Sequence, residues 1–115
     1  MLIVEMEVEE RHANAFQIVH GGVLASLIDV VSSFVVFESG HPTSGVSADL
    51  STSYLKSVGI GAVLEVRSYC ERDGKNLAFT RTDIFDKNTG DLLASGRHTK
   101  FCGGDYANMT VNPKL

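Results

Sequence analysis

The chain has 115 residues, of which 43% are hydrophobic, and this length and composition predict one globular domain. Its 10 basic and 14 acidic residues give a net charge of −4. That balance argues against a nucleic-acid-binding module, because such modules carry a basic surface. Polar residues interrupt the longest apolar stretch, Val23 to Phe37, so no membrane span is predicted. Cys70 and Cys102 are too few for a disulfide scaffold and are typical of reduced thiols in an intracellular protein.

The first predicted elements are a strand and a loop. Leu2 to Val8 alternates apolar and acidic side chains, which is the period of a half-buried strand. The acidic residues in and after this segment also argue against a signal peptide. Glu9 to Val19 loses the alternation and predicts a loop.

A helix is predicted from Gly21 to Phe37, and Gly40 with Pro42 predicts its end. Two sets of apolar residues recur at helical spacing and cover two neighbouring faces. The first set is Leu24, Leu27, Ile28, Val31 and Val35, and the second is Val30, Phe34 and Phe37. A helix that is apolar around most of its circumference has to be buried, so we expect this one to be enclosed.

The rest of the chain predicts strands joined by short turns. The predicted strands are Val46 to Tyr54, Ala62 to Arg72, Leu77 to Phe85 and Leu92 to Phe101. Asp73-Gly74 and residues 87–90 are turn signals, which favour antiparallel neighbours. The tail, Gly103 to Leu115, lacks periodicity and is predicted to be loosely held.

These elements predict a single α+β domain over residues 1–115, with a curved antiparallel sheet wrapped around one long helix. Such a small sheet cannot close into a barrel and leaves an exposed edge. Pairing with a second copy of the chain would cover that edge.

Asp29 is the only ionisable residue between Gly21 and Phe37. If it were buried and unpaired in this apolar helix, the carboxylate would lower stability by several kcal/mol. One interpretation is therefore a general base or nucleophile in a cleft beside the helix. The other is an Asp on one solvated stripe, next to Ser26 and Ser33, and both remain open.

His20-Gly21-Gly22 stands at the predicted start of the helix. The first N–H groups of a helix have no internal partners, so this position can hold an anion or a developing oxyanion. A flexible loop end is equally compatible with the two glycines. No metal site is predicted, because the four histidines lack ligand spacing, and no nucleophile elbow is present. These histidines are His12, His20, His41 and His98.

Several of these residues together form a family pattern. The pattern consists of Asn14, His20-Gly21-Gly22, Asp29 and Gly45-Val46-Ser47. It resembles the pattern of the hotdog-fold acyl-CoA thioesterases, in their phenylacetate-degradation-type branch. The resemblance continues through residues 54–56, 74–79 and 96–100. It thus covers nearly the whole chain up to about residue 101.

The resemblance implies a role for each of these residues. Asp29 would activate a water molecule that Ser47 helps to orient, and the Gly21 N–H with Asn14 would polarise the thioester carbonyl. Attack by water is favoured over direct attack by the carboxylate. No cofactor is implied, since the coenzyme A thioester is itself the substrate. The site would be shared across a homodimer, and two dimers would form a homotetramer.

The resemblance also implies a coenzyme A surface, in which the cations could meet phosphates. Ordinary surface charge is the alternative for each cation. The residues placed at this surface are Gly22, Tyr54, Leu55, Lys56, Arg72, Gly74, Lys75, Asn76, Leu77, Lys100 and Phe101.

Two other functions remain open: a hotdog dehydratase that uses His20, and a non-catalytic acyl-CoA sensor. Relatives usually carry an N-terminal helix and more of the first strand ahead of Leu2, which are missing or trimmed in this sequence, and this leaves acyl-chain selection open. Ser57 stands where many relatives have proline. We expect a cytoplasmic or mitochondrial protein, although the final Pro-Lys-Leu faintly resembles a peroxisomal signal.

Overall fold

A computed structural model of the chain describes residues 1–41 and 43–103. This part folds into five strands and one α-helix, which confirms the predicted α+β class. Their bounds are β1 Leu2–Glu7, α1 Gly21–Glu38, β2 Val46–Tyr54, β3 Val63–Asp73, β4 Leu77–Asp86 and β5 Leu92–Phe101. Every end lies within one residue of the sequence-based boundary. The predicted loop is wrong in one detail, because a short 3-10 helix, Glu10–His12, lies inside it.

The strands form one antiparallel sheet in the order β1-β3-β4-β5-β2. The tight turns predicted at Asp73-Gly74 and at residues 87–90 join β3, β4 and β5 into a meander. Longer connections place β1 beside β3 and β2 beside β5. As a result β1 and β2 are the two edges of the sheet.

Helix α1 lies across one face of the sheet and contacts all five strands. Its buried residues are Leu24, Ile28, Val31, Ser32, Val35 and Val36. The helix approaches β5 closely at Gly96, where an added Cβ would lie 2.8 Å from Cγ2 of Ile28. Glycine at this position therefore lets the helix rest directly on the strand, with the Asp29 turn above the middle of β5.

The expectation that the helix is enclosed is wrong for the single chain. The sheet covers one face only, and on the opposite face the side chains of Val30 and Phe34 are 52% and 57% exposed. By length and composition alone, α1 is also long and apolar enough to cross a bilayer, contrary to the sequence argument. A core helix of a soluble protein meets the same criteria, and α1 packs against a sheet.

The first residues after β5 lie against Asn76 of the β3–β4 hairpin. Cys102 donates its backbone N–H to the carbonyl of Asn76 at 2.7 Å, and Gly103 is buried. Of the tail that was predicted to be loosely held, Gly103 is buried, and the remainder lies outside the described residues. Cys70 and Cys102 are free thiols, as predicted.

Candidate functional site

His20 caps the start of α1. Its Nδ1 accepts the backbone N–H of Gly22 at 2.8 Å, and its carbonyl accepts the N–H of Val23 at 2.9 Å. Gly21 is the first helical residue, so no helical carbonyl precedes it to accept its N–H. The structure thus gives Gly21 the N–H that can donate to an oxyanion and gives His20 a structural role. Gly22 was predicted to contact coenzyme A, and its N–H donates to His20.

Asn14 organises the loop that faces the helix start. Its Oδ1 accepts the N–H groups of Phe16 at 2.9 Å and Ile18 at 3.4 Å, and its own N–H donates to the Ile18 carbonyl at 2.8 Å. Gln17 has a positive φ of 64° in this tight turn. Because the carboxamide oxygen is engaged within the loop, the NH2 group is the half of Asn14 that can donate to a substrate.

Asn14 and Gly21 line one cavity of about 400 Å³, which we call the helix-start cavity. Part of the predicted coenzyme A surface lies in its wall, next to Ser57. The residues of that surface found here are Tyr54, Leu55 and Lys56. The structure therefore brings the predicted carbonyl-polarising groups and one predicted substrate-binding segment together.

Lys56 forms an exposed ion pair with Asp91 at the rim of this cavity. The hydrogen bond between them raises the pKa of Lys56 and lowers the pKa of Asp91, so both stay charged. An incoming phosphate would have to share the ammonium group with this carboxylate.

The other predicted catalytic residues meet in a second place, around a histidine of β5. The Nε2 atom of His98 lies 2.6 Å from Oγ of Ser47, and its Nδ1 lies 2.7 Å from Oγ of Ser32 and 3.8 Å from Oδ1 of Asp29. We call Asp29, Ser32, Ser47 and His98 the mid-helix cluster. The side chain of Asp29 is 47% exposed, which is the solvated position that the sequence left open. Asp29 also lines a cavity of about 240 Å³ that includes Val30 and Phe34 of the exposed helix face.

In the sequence, His98 falls within the family pattern at residues 96–100 and lacks metal-ligand spacing, but neither feature assigns it to this cluster. Gly96, His98 and Lys100 are alternate residues of β5 and are all buried, with His98 only 1% exposed. Burial and the nearby Lys100 lower the pKa of His98, whereas Asp29 and Asp49 act in the opposite direction and raise it. The sequence signal that could have located His98 is its place in the alternation of β5, which puts it on the inward face of an apolar strand.

The two groups of predicted catalytic residues lie far apart within one chain. Gly21 and Asp29 are eight residues apart on α1, which corresponds to about 12 Å along the axis. A single chain thus holds two partial sites, one at the helix start and one at mid-helix.

The remaining predicted coenzyme A residues lie at the other end of the sheet. Five of them line a cavity of about 340 Å³ at the β3–β4 hairpin: Arg72, Gly74, Lys75, Asn76 and Leu77. Leu77 and Val46 both pair with Phe101, whereas Tyr54 pairs with Ala94, so the hairpin and the helix-start cavity flank opposite ends of β5.

Lys100 does not fit its predicted place on a phosphate-binding surface. It is 5% exposed and shares the inward face of β5 with His98. In this buried position, Lys100 is neither an ordinary surface charge nor accessible to a phosphate from solution. The alternation of the strand turns it inward, since residues two apart on a strand share a face.

Within residues 1–41 and 43–103, no three His, Cys, Asp or Glu side chains lie close enough together to hold a metal ion.

Comparison with known proteins shows the family of this chain. Residues 16–93 match the family model described as the thioesterase superfamily. The chain belongs to the thioesterase superfamily. Acyl-coenzyme A thioesterase 13 of Homo sapiens, a curated relative, is 39% identical over 102 residues, which are 89% of this chain and 73% of the relative.

Solved thioesterase structures share the fold. Thioesterase superfamily member 2 of zebrafish superposes with a TM-score of 0.85 at 37% identity, covering 88% of this chain and 73% of that chain. A hypothetical thioesterase protein of Streptococcus pneumoniae, solved with coenzyme A, superposes with a TM-score of 0.80 at 28% identity, covering 86% of this chain and 77% of that chain. The predicted hotdog fold is therefore confirmed, and so is the thioesterase family to which the motifs pointed.

Proposed function

We propose that this thioesterase-superfamily chain hydrolyses acyl-CoA thioesters to a free acid and coenzyme A. The similarity to an acyl-coenzyme A thioesterase and to a structure that holds coenzyme A supports this substrate class. The observation that carries the proposal is the pairing of Asp29 and Ser47 around one imidazole ring. A carboxylate and a hydroxyl held in this way can bind and activate a single water molecule.

Hydrolysis begins when this water attacks the thioester carbonyl and passes a proton to the Asp29 carboxylate. A C–O bond forms, and negative charge develops on the carbonyl oxygen, where the Gly21 N–H and the Asn14 NH2 donate. The intermediate then collapses with cleavage of the C–S bond. The departing thiolate recovers the proton from Asp29, so the enzyme returns to its starting state and needs no cofactor.

We infer that the site is completed by a second subunit. A carbonyl held by Gly21 and a water held by Asp29 must lie about 3 Å apart to react, whereas these residues are about 12 Å apart along α1. The Gly21 and Asn14 of one subunit would therefore face Asp29 of the partner subunit. This homodimer would carry two equivalent sites.

The edge strand β2 supports such a dimer. Its residues are exposed along almost the whole strand, and the exposed apolar residues Val46, Leu50 and Tyr54 recur along it. Antiparallel pairing of β2 with the same strand of a second copy would continue the sheet. It would also bring the Tyr54 end of one subunit beside the Val46 end of the other, where the hairpin with Arg72 and Lys75 lies.

This arrangement supports a binding surface for coenzyme A made from both subunits. Lys56 at the helix-start cavity and Arg72 with Lys75 at the hairpin would converge on the phosphates. The exposed helix face with Val30, Phe34 and Phe37 offers a second apolar surface, through which two dimers could form a tetramer.

The test is a panel of acyl-CoA esters that differ in chain length and in aromatic content. We expect release of free thiol, followed with a thiol reagent, from at least one ester. Enoyl absorbance without thiol would instead indicate a dehydratase, which has less support because the Nδ1 of His20 is engaged as a helix cap. Binding without either product would indicate a sensor.

A further inference from the structure

His98 links the two groups that would hold the attacking water. Its ring lies between the hydroxyl of Ser47 on β2 and the hydroxyl of Ser32 on α1, at 2.6 and 2.7 Å. Ser32 and His98 are buried, whereas Ser47 is exposed and can also meet solvent. The hydroxyl of Ser32 lies 3.0 Å from the backbone carbonyl of Asp29 as well.

With a neutral ring, one arrangement of protons satisfies three contacts at once. Ser32 contacts both the Asp29 carbonyl and His98, and Ser47 contacts His98. The carbonyl of Asp29 can only accept, so the Ser32 hydroxyl must donate to it. Oγ of Ser32 then accepts from His98, which places the ring proton on Nδ1. The unprotonated Nε2 in turn accepts the hydroxyl hydrogen of Ser47.

Electrostatics favours the same arrangement. The Asp29 carboxylate lies 3.8 Å from Nδ1, and a negative charge there stabilises a proton on that nitrogen. The neutral ring is favoured because burial and Lys100 lower the pKa of His98, and these outweigh the opposing effects of Asp29 and Asp49.

We propose that His98 is a positioning residue, which carries its proton on Nδ1 and thereby fixes Ser47 as a hydrogen-bond acceptor for the attacking water. With its own hydrogen turned to Nε2, Ser47 can take one hydrogen of the water while Asp29 takes the other. A lone pair of the water then remains free for the carbonyl carbon. The opposite ring tautomer would leave the Ser47 hydrogen free to bind that lone pair. This inference rests on the proposed hydrolysis of acyl-CoA thioesters.

The protonation of the ring is measured directly by long-range ¹H–¹⁵N NMR on the intact, ¹⁵N-labelled protein. We expect a protonated Nδ1 and an unprotonated Nε2 for His98 near neutral pH. A protonated Nε2 would overturn the proposal. This measurement needs no substrate, so it decides the proton arrangement even if every acyl-CoA ester fails to react, which would contradict the proposed function instead.

Two neighbouring serines provide a matched pair for kinetics. Ser32 and Ser33 both donate to the Asp29 carbonyl, but only Ser32 also contacts His98. We expect Ser32→Ala to lower kcat by about threefold to tenfold, the range for one lost neutral hydrogen bond, with KM nearly unchanged. Ser33→Ala should stay within about twofold of wild type. Equal effects of the two substitutions would show that His98 plays no part.

A double mutant separates positioning from general structural damage. If Ser32 and His98 act through Ser47, then Ser32→Ala should lower kcat little further in a Ser47→Ala background. Multiplicative losses would overturn the proposal. As a rescue, His98→Gln should retain more kcat than His98→Leu, because a carboxamide oxygen can still accept the Ser47 hydrogen. Equal losses in folded Gln and Leu variants would also contradict it.

Discussion

At the scale of single residues, Asp29 is the group on which the proposed chemistry most depends. We expect Asp29→Asn to lower kcat by ~10² or more, the usual contribution of a general base. The amide keeps the size and polarity of the side chain but cannot accept the proton from water. Thiol release and binding of a non-hydrolysable acyl-CoA analogue would be measured together, and binding should persist.

Asp86→Asn is the matched control for this substitution. Asp86 lies outside both partial sites, and its Oδ1 accepts the N–H of Asn88, a contact that an Asn side chain can also make. Retention of more than about a tenth of kcat by Asp29→Asn would show that Asp29 is not the base.

His98 predicts a pH dependence of stability. The buried ring has a pKa below its usual 6.5, mainly because burial disfavours the charged form. The unfolded chain therefore binds a proton more readily than the folded chain, so the contribution of His98 is complete above about pH 6.5 and is lost as the pH falls below it. Lys100 also lowers the pKa of His98, whereas Asp29 and Asp49 raise it.

The measurement is the urea unfolding free energy of wild type and His98→Gln at several pH values. The other histidines titrate in both proteins, so the difference between the two curves isolates His98. We expect this difference to shrink as the pH falls below about 6.5, because only the wild type loses the contribution. A difference that is constant with pH, or that grows towards acid, would contradict the lowered pKa.

Part of the candidate site can be predicted from the sequence. Asn14, Asp29 and Ser47 were recognised from a family pattern, and Gly21 also from the helix start. His98 was missed because its partners Ser32 and Ser47 are 66 and 51 residues away in the chain. The same strand alternation that turns His98 inward also turns Lys100 inward, which a reading of charge alone could not show.

At the scale of elements, strand and helix bounds follow from local periodicity and were predicted within one residue. Whether α1 is enclosed could not be predicted in the same way, since enclosure depends on how much of the helix a five-stranded sheet can cover. Apolar spacing predicts that both faces of α1 are covered, but it cannot tell which face the chain's own sheet buries. The second face, with Val30 and Phe34, stays exposed in the single chain.

The packing of α1 on β5 depends on the absence of a side chain at Gly96. An added Cβ would lie 2.8 Å from Cγ2 of Ile28 and 3.0 Å from the Ser51 carbonyl. We expect Gly96→Ala to lower the urea unfolding free energy by about 1–3 kcal/mol through overpacking. The loss should be smaller in an Ile28→Ala background, where the clashing methyl groups are gone.

Gly59→Ala provides the control, because its added Cβ would meet only the Gln17 carbonyl at an ordinary 3.5 Å. That variant should stay within about 1 kcal/mol of wild type. Additive effects of Gly96→Ala and Ile28→Ala would show that the contact between helix and strand is not what limits position 96.

At the scale of the whole molecule, the arrangement of the partial sites has a consequence for assembly. The groups that would polarise the carbonyl stand at the helix start, and those that would activate water stand about 12 Å further along α1. A monomer in this conformation cannot bring both to one thioester. Activity and association should therefore be inseparable, and light scattering that showed an active monomer at assay concentration would contradict the shared site.

The sharpest test of that division is complementation between inactive subunits. If Asn14 and Gly21 act from one chain and Asp29 from the other, Asn14→Ala and Asp29→Asn subunits should rescue each other when mixed. Random exchange gives about half heterodimers, each with one doubly defective and one intact site, so the mixture should recover roughly a quarter of wild-type activity per site. Mixing Asp29→Asn with Ser47→Ala is the control, because both residues belong to the mid-helix cluster of the same chain. Heterodimers of that pair carry one lesion at each site, so no recovery is expected. With subunit exchange verified by native mass spectrometry, activity equal to the sum of the parents in the first mixture would show that each site lies within one chain.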